Sequence, residues 1–594
     1  MAQTFKIESF LGVNKKSTET LLELGEASDM KNCIITDDRK LKKMHGYSRL
    51  FDTLGDYIVN GIWYGTLLGT PHMLFACNGH IYEHNLTTHA NTDLGSVEDT
   101  FPTTFWVTNN TVYIMDGDDI YSWPGSGSIA SVVGYAPTIT TATPPSGGGT
   151  LLEPVNYLSG TKKQQFSADG TSVYQLAEYT VDSVDEVVVN GVVQTLTTDY
   201  NVNLLNGTVT FVSPPSSGTN NVVIKYTKVT SGDRELITNN MYYGGVYFSR
   251  FWLFGNPNHK NTRYPSGITI NGVSDPTYWP KYADSNVGEY EITAVCIQYN
   301  KQIIFTSGDS KSSAWYSEQT SYTDESTGLL VTLFPVYPMN EKVGNAAKGQ
   351  VQIIYNNPFT IWQGIYEWVA TNVVNEKNAT YISERIQNDL DLVDLSGAIT
   401  CDWSDKGQYW LCVGKKVWVL NYRVNAWYIL ELAHTPTRFT TIDSELYFGT
   451  DDGKIMKFDE TEGTFDGETI SSYWDMAFFN FGTDYVTKYV WEMGIAMKPL
   501  VAAHVDIYVS TDKNGSFVQV ETQKPVRYIP FDFENLDFET FSFETNYSPQ
   551  PFRRKIRLKQ IVYMKIRLAN DGADGFVVLS ITLPVEPGDD VGRR

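Results

Sequence analysis

The first candidate for chemistry is the run His80-Ile81-Tyr82-Glu83-His84, which matches the H-x-x-E-H pattern of a class of zinc metalloproteases. That chemistry needs two histidines one helical turn apart, so that both reach the same zinc ion. Here the run directly follows an Asn78-Gly79 turn, which favours a strand. On a strand the two histidine Cα atoms lie about 13 Å apart, too far for one tetrahedral ion. We therefore predict no metal site here, and the nearby His89 does not change this interpretation.

Two acidic turns, Asp116-Gly117-Asp118-Asp119 and Asp451-Asp452-Gly453, carry enough carboxylates to attract calcium. Neither turn continues into an EF-hand loop with its glutamate at position 12. Asp and Gly are also the residues that tight hairpin turns prefer. We interpret both runs as hairpin turns and predict no metal and no cofactor.

The run Ser510–Phe517 resembles the Asp-box turn that decorates sialidase propellers, which raises the hypothesis of a glycosidase with paired carboxylates. The box is itself a structural turn, and it occurs once. The chain has no G-x-S-x-G elbow, no Walker loop and no Cys/His pairing that indicates a nucleophile. We predict a protein that is not an enzyme and has no catalytic residues. The alternative is a β-propeller that binds or cleaves glycans on a virion or cell surface.

The strongest local charge signal lies near the C-terminus, where seven basic residues have no acidic residue between them. They are Arg553, Arg554, Lys555, Arg557, Lys559, Lys565 and Arg567. Their alternation with apolar residues predicts strands with one apolar and one basic face. Such a face is either simply solvated or makes an electrostatic contact with an acidic neighbouring subunit. We select these seven as candidate subunit-interface residues.

The element that must position such residues is a repeated hairpin: a short apolar run, a tight turn of Gly, Asp or Asn, and an aliphatic-aromatic pair. It occurs at Met73–Tyr82, Val112–Tyr121, Trp410–Trp418 and Leu446–Ile455. Hairpins recurring at a spacing of about 40 to 50 residues are typical of β-propeller blades. We predict six or seven blades, with a ring that closes near residues 470–485 and uses the N-terminal segment to complete a mixed blade.

Composition agrees with an all-β fold, because 13% of the 594 residues are aromatic and only 19% are charged. Acidic residues exceed basic ones by 68 to 45, and the net charge of −23 repels phosphate backbones and anionic membranes. This charge argues against tight nucleic-acid binding, but it suits a surface past which DNA slides.

Five cysteines without C-x-x-C spacing predict buried, reduced thiols. The N-terminus lacks the pattern of a signal peptide, and no apolar run is long enough for a membrane span. We therefore expect a chain that is soluble when it is made.

Changes in composition predict five segments along the chain. They are an N-terminal entry segment (1–56), a first propeller part (57–135), an inserted immunoglobulin-like domain (136–235), a second propeller part (236–484) and a C-terminal β-sandwich (485–594). Within the entry segment, Ser17–Met30 has a helical pattern and predicts a short helix.

The two ends of the chain resemble bacteriophage tail proteins of the short-tailed nozzle class, also called tail tubular proteins. The N-terminal resemblance lies in Phe10–Asn14, Leu24–Cys33 and Leu41–Tyr47. The C-terminal runs Arg554–Leu558 and Gly575–Ile581 are similar to the β-sandwich ends of the same proteins. The inserted segment also resembles modules common in phage virion proteins.

This resemblance implies a structural virion protein, made in the bacterial host cytoplasm, that forms a hexameric ring at the tail. Such a nozzle retains the genome and then conducts it during ejection, so DNA passes through without specific binding. The implied partners are further copies of the chain, tail adaptor or portal-proximal proteins, and tail fibres. A minor tail or head-completion protein of a longer-tailed phage is the alternative within phages.

Overall fold

The computed structural model describes residues 3–308, 311–323, 330–370, 377–500, 503–524 and 548–591. The chain divides into two compact units, one of residues 1–59 and 350–594, the other of residues 60–349. Both consist almost entirely of strands in small antiparallel sheets. The fold is that of an all-β propeller, as the hairpin repeat predicts.

The unit of residues 60–349 contains four four-stranded sheets of blade type within its described residues. Their strands are Val59–Leu67, Thr70–Cys77, His80–His84 and Asn91–Ser96; Thr104–Thr108, Thr111–Met115, Ile120–Trp123 and Ala130–Ser131; Tyr242–Tyr247, Arg250–Phe254, Thr262–Pro265 and Ser285–Asn286; and Glu291–Gln298, Lys301–Gly308, Lys311–Ser317 and Val336–Asn340. Smaller elements of this unit are the strand pairs Gly267–Ile268 with Ser274–Asp275 and Thr320–Thr323 with Leu330–Leu333, and the helix Glu235–Thr238.

A two-sheet sandwich follows the second of these blades. Its strands are Thr150–Leu151, Thr138–Thr143, Thr161–Ala168, Gly218–Thr227, Ser183–Val189 and Val192–Val193 in one sheet, and Val173–Gln175, Thr208–Phe211 and Tyr200–Asn203 in the other. It has its own hydrophobic cluster, in which Phe166, Tyr174 and Phe211 are buried. Tyr174 packs edge-on against both phenylalanines, with ring centroids 5.4 and 5.1 Å away. Two sheets with an aromatic core of this kind are the architecture of a β-sandwich.

The other unit contains three blade-type sheets within its described residues. Their strands are Gln352–Ile354, Asn357–Ile361, Ile365–Ala370 and Lys377–Tyr381; Ile399–Trp403, Gln408–Val413, Lys416–Asn421 and Ala426–Glu431; and Pro436–Ile442, Glu445–Thr450, Ile455–Phe458 and Tyr47–Arg49, extended by Thr464–Phe465 and Glu468–Thr469. The third blade is mixed, as predicted, because Tyr47–Arg49 from the N-terminal segment pairs with Ile455–Phe458. Single helical turns are Glu19–Leu21, Glu384–Ile386, Gln387–Leu390, Leu395–Gly397 and Ser404–Lys406.

Two further sheets of this unit combine both ends of the chain. The first terminal sheet contains Cys33–Ile35, Leu41–Lys43, Val577–Asp590, Val486–Met497 and Gln550–Ile561, with Gln3–Ile7 also paired to Val577–Asp590. The second terminal sheet contains Gly12–Val13, Glu26–Lys31, Ser472–Met476, Met564–Asn570, Val505–Thr511 and Asn514–Gln523. Aromatic contacts join them: Phe5 meets Phe479 and Phe481 edge-on, and Phe10 meets Trp474 with ring centroids 5.2 Å apart.

The tight turns of the hairpins have the backbone conformation that their sequences predict. Asn78 and Gly79 have φ angles of 54° and 68°, and Asn190 and Gly191 have 49° and 80°. Two consecutive positive φ angles define the turn whose twist matches a two-residue hairpin. In both places the flanking residues pair directly across the turn.

The predicted helix over Ser17–Met30 is wrong. Only Glu19–Leu21 forms a single 3-10 turn, and Glu26–Lys31 is a strand that pairs with Ser472–Met476. The helical pattern is a local preference of the chain. Pairing with a partner strand overrides this preference, because the pairing buries Ala27 and Met30 and gives the backbone N–H and C=O groups hydrogen-bond partners. All five cysteines are buried thiols outside any disulfide, as predicted.

A buried arginine joins two neighbouring blades of the unit 60–349. Arg263 is 1% exposed, and its guanidinium donates to Gln302, to Ser317 Oγ at 3.0 Å and to the Phe334 carbonyl at 2.7 Å. Its Cζ lies 4.5 Å from the centre of the Trp252 ring. Burial lowers the pKa of Arg263 to about 9, and no carboxylate pairs with it among the described residues. Hydrogen bonds and the aromatic face therefore compensate the buried charge.

We expect Arg263→Ala to lower the free energy of unfolding by about 3 kcal/mol, because it leaves several buried acceptors without a donor. Urea denaturation followed by tryptophan fluorescence measures this loss. Lys260→Ala is the control, since Lys260 is exposed, and it should change stability by less than about 0.5 kcal/mol. Equal effects of the two substitutions would contradict the role assigned to Arg263.

Candidate functional site

The predicted basic face lies on the strand Gln550–Ile561, at the edge of the first terminal sheet, where Val486–Met497 is its sheet partner. Alternate side chains along this strand are exposed. Four of the seven predicted interface residues share that exposed face, and we call them the basic ridge: Arg553, Lys555, Arg557 and Lys559. Within the described part of the chain the ridge strand is the last strand of its sheet.

The other three predicted residues lie elsewhere. Arg554 points to the opposite face of the strand, with Nε 3.3 Å from a carboxylate oxygen of Glu521. Lys565 and Arg567 belong to the second terminal sheet and have partners within the chain. They are therefore structural ion pairs, and the structure does not bring them together with the ridge.

Arg567 has the more elaborate environment of these two. Its guanidinium forms two hydrogen bonds with Asp475, of 2.6 and 2.7 Å, and stacks on Tyr473 and Phe517. The hydrogen bond with Asp475 raises the pKa of Arg567. Lys565 Nζ lies 2.9 Å from Glu19. A bidentate, partly buried arginine of this kind fixes the local packing and is not available to a partner.

Irregular backbone shapes the ridge strand. Arg557 and Gln560 have φ angles of 53° and 51°, and the pairing with Val486–Met497 shifts register twice at these points. Each shift places one extra residue on the ridge strand, which is the definition of a β-bulge. Bulges and charged side chains are the two usual means by which proteins prevent uncontrolled pairing at an exposed edge. The ridge strand has both features, two bulges and a row of charged side chains.

A stacked pair of aromatic side chains, partly exposed, lies next to the ridge, and the sequence analysis did not select these residues. The rings of Tyr489 and Trp491 stack with centroids 5.7 Å apart and planes within 10°. Trp491 is 39% exposed, its Nε1 donates to Glu586 at 2.9 Å, and Lys559 Nζ lies 5.6 Å from its ring centre. The signal in the sequence was the Tyr-x-Trp alternation, which places both rings on one face of a strand.

Side-chain charge on the ridge is only partly compensated within the chain. Arg553 pairs with Glu492, and this hydrogen bond raises the pKa of the arginine. The Arg553 side chain is 78% exposed. An ion pair so accessible to solvent contributes little to the free energy of folding. Among the described residues, Lys555 and Arg557 form no ion pair. Counting the described residues alone, the ridge keeps net positive charge.

The candidate metal ligands have other partners. His80 and His84 lie on one strand, as predicted, with His80 Nδ1 2.9 Å from Asp93 and His84 Nδ1 2.7 Å from Asn91. Lys454 pairs with Asp452 at 2.6 Å in the second acidic turn. Within the described ranges, no cluster of three His, Cys, Asp or Glu side chains has the geometry to hold an ion.

The first acidic turn is organised by one buried carboxylate. Asp116 is fully buried, and its two oxygens accept backbone N–H groups of Glu98, Asp118 and Asp119 at 2.8 to 2.9 Å. Asp119 in turn pairs with Arg234 at 2.6 Å. A turn whose first side-chain oxygen accepts a backbone N–H two residues later is an Asx-turn. The acidic residues of this run therefore form a hairpin turn, as predicted.

The Asp-box run has a comparable structural role. Asp512 Oδ1 accepts the backbone N–H of Val562 at 2.9 Å and of Tyr563 at 3.3 Å. It lies in the turn between Val505–Thr511 and Asn514–Gln523. The carboxylate thus ties this turn to the next strand of the sheet.

Comparisons with known proteins find only distant structural similarity. No protein-family model and no curated protein matches the chain. Among solved structures, BamB from Moraxella catarrhalis is 9% identical, covering 77% of this chain and 98% of its own, with a TM-score of 0.30. An exo-β-1,3-galactanase from Phanerochaete chrysosporium is 9% identical (57% and 95% covered, TM-score 0.22), and the N-terminal domain of Nup159 is 8% identical (77% and 96%, TM-score 0.21).

No described helix is long and apolar enough to span a membrane.

We expect Asp116→Ala to destabilise the protein by about 2 to 3 kcal/mol, because three backbone N–H groups lose the buried carboxylate that accepts them. Asp118→Ala is the matched control, since Asp118 is exposed in the same turn. Thermal unfolding of both variants and of the unaltered chain, with and without millimolar calcium, measures the effect. A calcium-dependent rise in melting temperature that Asp116→Ala abolishes would show that the turn is a cation site.

Proposed function

We propose that this chain is a structural virion protein that assembles into a closed ring, of hexameric size, at a phage tail. In this role it is a nozzle that retains the genome and conducts DNA during ejection. The observation that carries the proposal is the basic ridge: an exposed, positively charged edge strand on a chain of net charge −23.

The ridge supports assembly through charge complementarity. A closed ring needs two different faces on each subunit, because every interface joins one face to the other. The ridge supplies one face, and acidic surface elsewhere on the next copy supplies the other. Trp491 beside the ridge adds an exposed aromatic side chain of the type that is enriched at interfaces.

Strand pairing between the chain ends supports the resemblance to nozzle proteins. The runs that carry the resemblance are separated by most of the sequence, yet they contribute to the same pair of terminal sheets. Leu41–Lys43 pairs with Val577–Asp590, and the ridge strand contains the run Arg554–Leu558. The segments that resemble nozzle proteins therefore lie together in the two terminal sheets, and the ridge strand belongs to the first of these sheets.

The charge of the chain supports transit of DNA in preference to its binding. Tight binding of DNA requires basic side chains that replace the counterions of the phosphates. A wall with excess carboxylates repels the phosphates and leaves the polymer free to slide. In this proposal the partners are copies of the chain, tail adaptor or portal-proximal proteins and tail fibres, and the location is the virion tail.

The purified chain should form rings, which sedimentation analysis and electron microscopy would detect directly. Rings of about six copies are the expected result, and a monomer at micromolar concentration that is also absent from virions would refute the proposal. A glycan array with a reducing-sugar assay tests the alternative function, a β-propeller that binds or cleaves glycans. Glycan cleavage that one carboxylate substitution abolishes would make the protein a propeller enzyme.

Reversing the ridge to glutamate at Arg553, Lys555, Arg557 and Lys559 should weaken assembly by at least about tenfold, because attraction becomes repulsion. The control reverses four exposed lysines outside the ridge: Lys260, Lys311, Lys342 and Lys415. The unaltered ring should also weaken as salt rises, since salt screens exposed charges. Sedimentation at low and high salt measures both effects, and an equal loss in the two variants would contradict an interface at the ridge.

A further inference from the structure

A cavity of about 530 Å³ lies within the unit of residues 1–59 and 350–594. The hairpin of Cys33–Ile35 and Leu41–Lys43 forms one wall, and the loops of residues 460–463 and 573–576 form others. Met44, Leu500 and Phe576 contribute apolar surface. A volume of several hundred cubic ångströms with mixed walls is typical of sites for small organic ligands.

His45 lines this cavity and has no polar partner. The residue is 9% exposed, and both ring nitrogens are buried without a hydrogen bond. Its ring packs edge-on against Trp403 and Phe458, with centroids 6.3 and 6.0 Å away. Burial lowers the pKa of His45 to about 4, so the imidazole is neutral near pH 7 and presents one N–H donor. Both ring nitrogens are enclosed by protein, so this donor does not reach the cavity, and His45 contributes an uncharged ring to the cavity wall.

Two lysines at the cavity also lack partners. Among the described residues, the ammonium groups of Lys42 and Lys498 form neither a hydrogen bond nor an ion pair. Burial lowers the pKa of Lys42; the carboxylate of Glu460 opposes this shift, and the positive charges of Lys406 and Lys498 add to it. These like charges repel one another, and a bound anion would relieve the repulsion.

The remaining charged groups at the cavity are mostly engaged. Lys43 donates to Asn570 Oδ1 and the Gly572 carbonyl, each at 2.6 Å, and this fixes the floor of the cavity. Glu460 pairs with Lys406 at 2.6 Å, and Asp574 pairs with His504 at 2.5 Å. Lys40 Nζ donates to the Glu8 carbonyl, and Asp38 accepts the Thr36 hydroxyl. Two lining carboxylates, Asp38 and Glu462, form no ion pair among the described residues. The same holds for four lining ammonium groups, those of Lys40, Lys42, Lys43 and Lys498, so unpaired positive charge exceeds unpaired negative charge.

We propose that this cavity binds a small organic anion, whose carboxylate or phosphate group is held by the ammonium groups of Lys42 and Lys498, beside the uncharged ring of His45. The ligand body lies against Met44, Leu500 and Phe576. The volume exceeds that of a bare oxyanion, which is why an organic molecule fits the site better than inorganic phosphate. Binding is a property of the single chain and does not depend on the proposed ring.

The test is isothermal titration of the full chain with inorganic phosphate, citrate and adenosine diphosphate. We expect one ligand per chain for the diphosphate or for citrate, with weaker binding of inorganic phosphate. Binding of the diphosphate alone identifies a phosphate ligand, and binding of citrate alone identifies a carboxylate ligand. No heat with any of the three at millimolar concentration would overturn the proposal.

Substitutions locate the binding. Lys42→Gln with Lys498→Gln should weaken binding by about tenfold or more, because two charge-assisted hydrogen bonds are lost. The control of equal charge change is Lys260→Gln with Lys415→Gln, two exposed lysines away from the cavity. Equal weakening in both double variants would mean diffuse attraction to the surface and would overturn the site. Should the Lys42 variant fail to fold, Lys498→Gln alone serves, since Lys498 is exposed at the cavity mouth.

Discussion

Backbone hydrogen bonding between the two ends of the chain is the constraint on which the unit of residues 1–59 and 350–594 depends. Tyr47–Arg49 completes a blade with Ile455–Phe458, and Gln3–Ile7 pairs along Val577–Asp590. Without these N-terminal strands, a blade and a sheet would each expose a row of unpaired donors and acceptors, which folded proteins avoid. In the described residues, the ridge strand is the last strand of that sheet, and its position is fixed because each strand sets the position of the next.

Polar groups in this protein are satisfied in two different ways. Arg263 and Asp116 are charged groups buried in unit 60–349, and each is surrounded by hydrogen-bond partners from the chain. At the ridge and at the cavity, by contrast, charged side chains of the described residues remain without full compensation. Buried charges with complete partners stabilise a fold, whereas uncompensated ones define where a ligand or subunit gains most by binding.

Local sequence patterns predicted much of the architecture. The Asn-Gly turns and the hairpin strands follow from residue preferences that act over a few positions, and they appear where the pattern placed them. The mixed blade was predicted on another ground, the need of a propeller to close its ring. The same locality explains the failure at Ser17–Met30, where a helical pattern becomes a strand because Ser472–Met476 provides backbone partners and a buried surface. No local pattern contains that information, since the partner lies several hundred residues away in the sequence.

The sequence by itself determined the all-β propeller class, the hairpin turns, the buried cysteines and the presence of a basic C-terminal strand, because these depend on composition and on short-range periodicity. Only the tertiary structure decided which basic residues act together. It separated Lys565 and Arg567 into internal ion pairs, turned Arg554 to the other face, and assembled the cavity of Lys42, His45 and Lys498 from distant segments. The physical reason is that charge compensation depends on distance in space, and strand pairing sets those distances independently of separation along the chain.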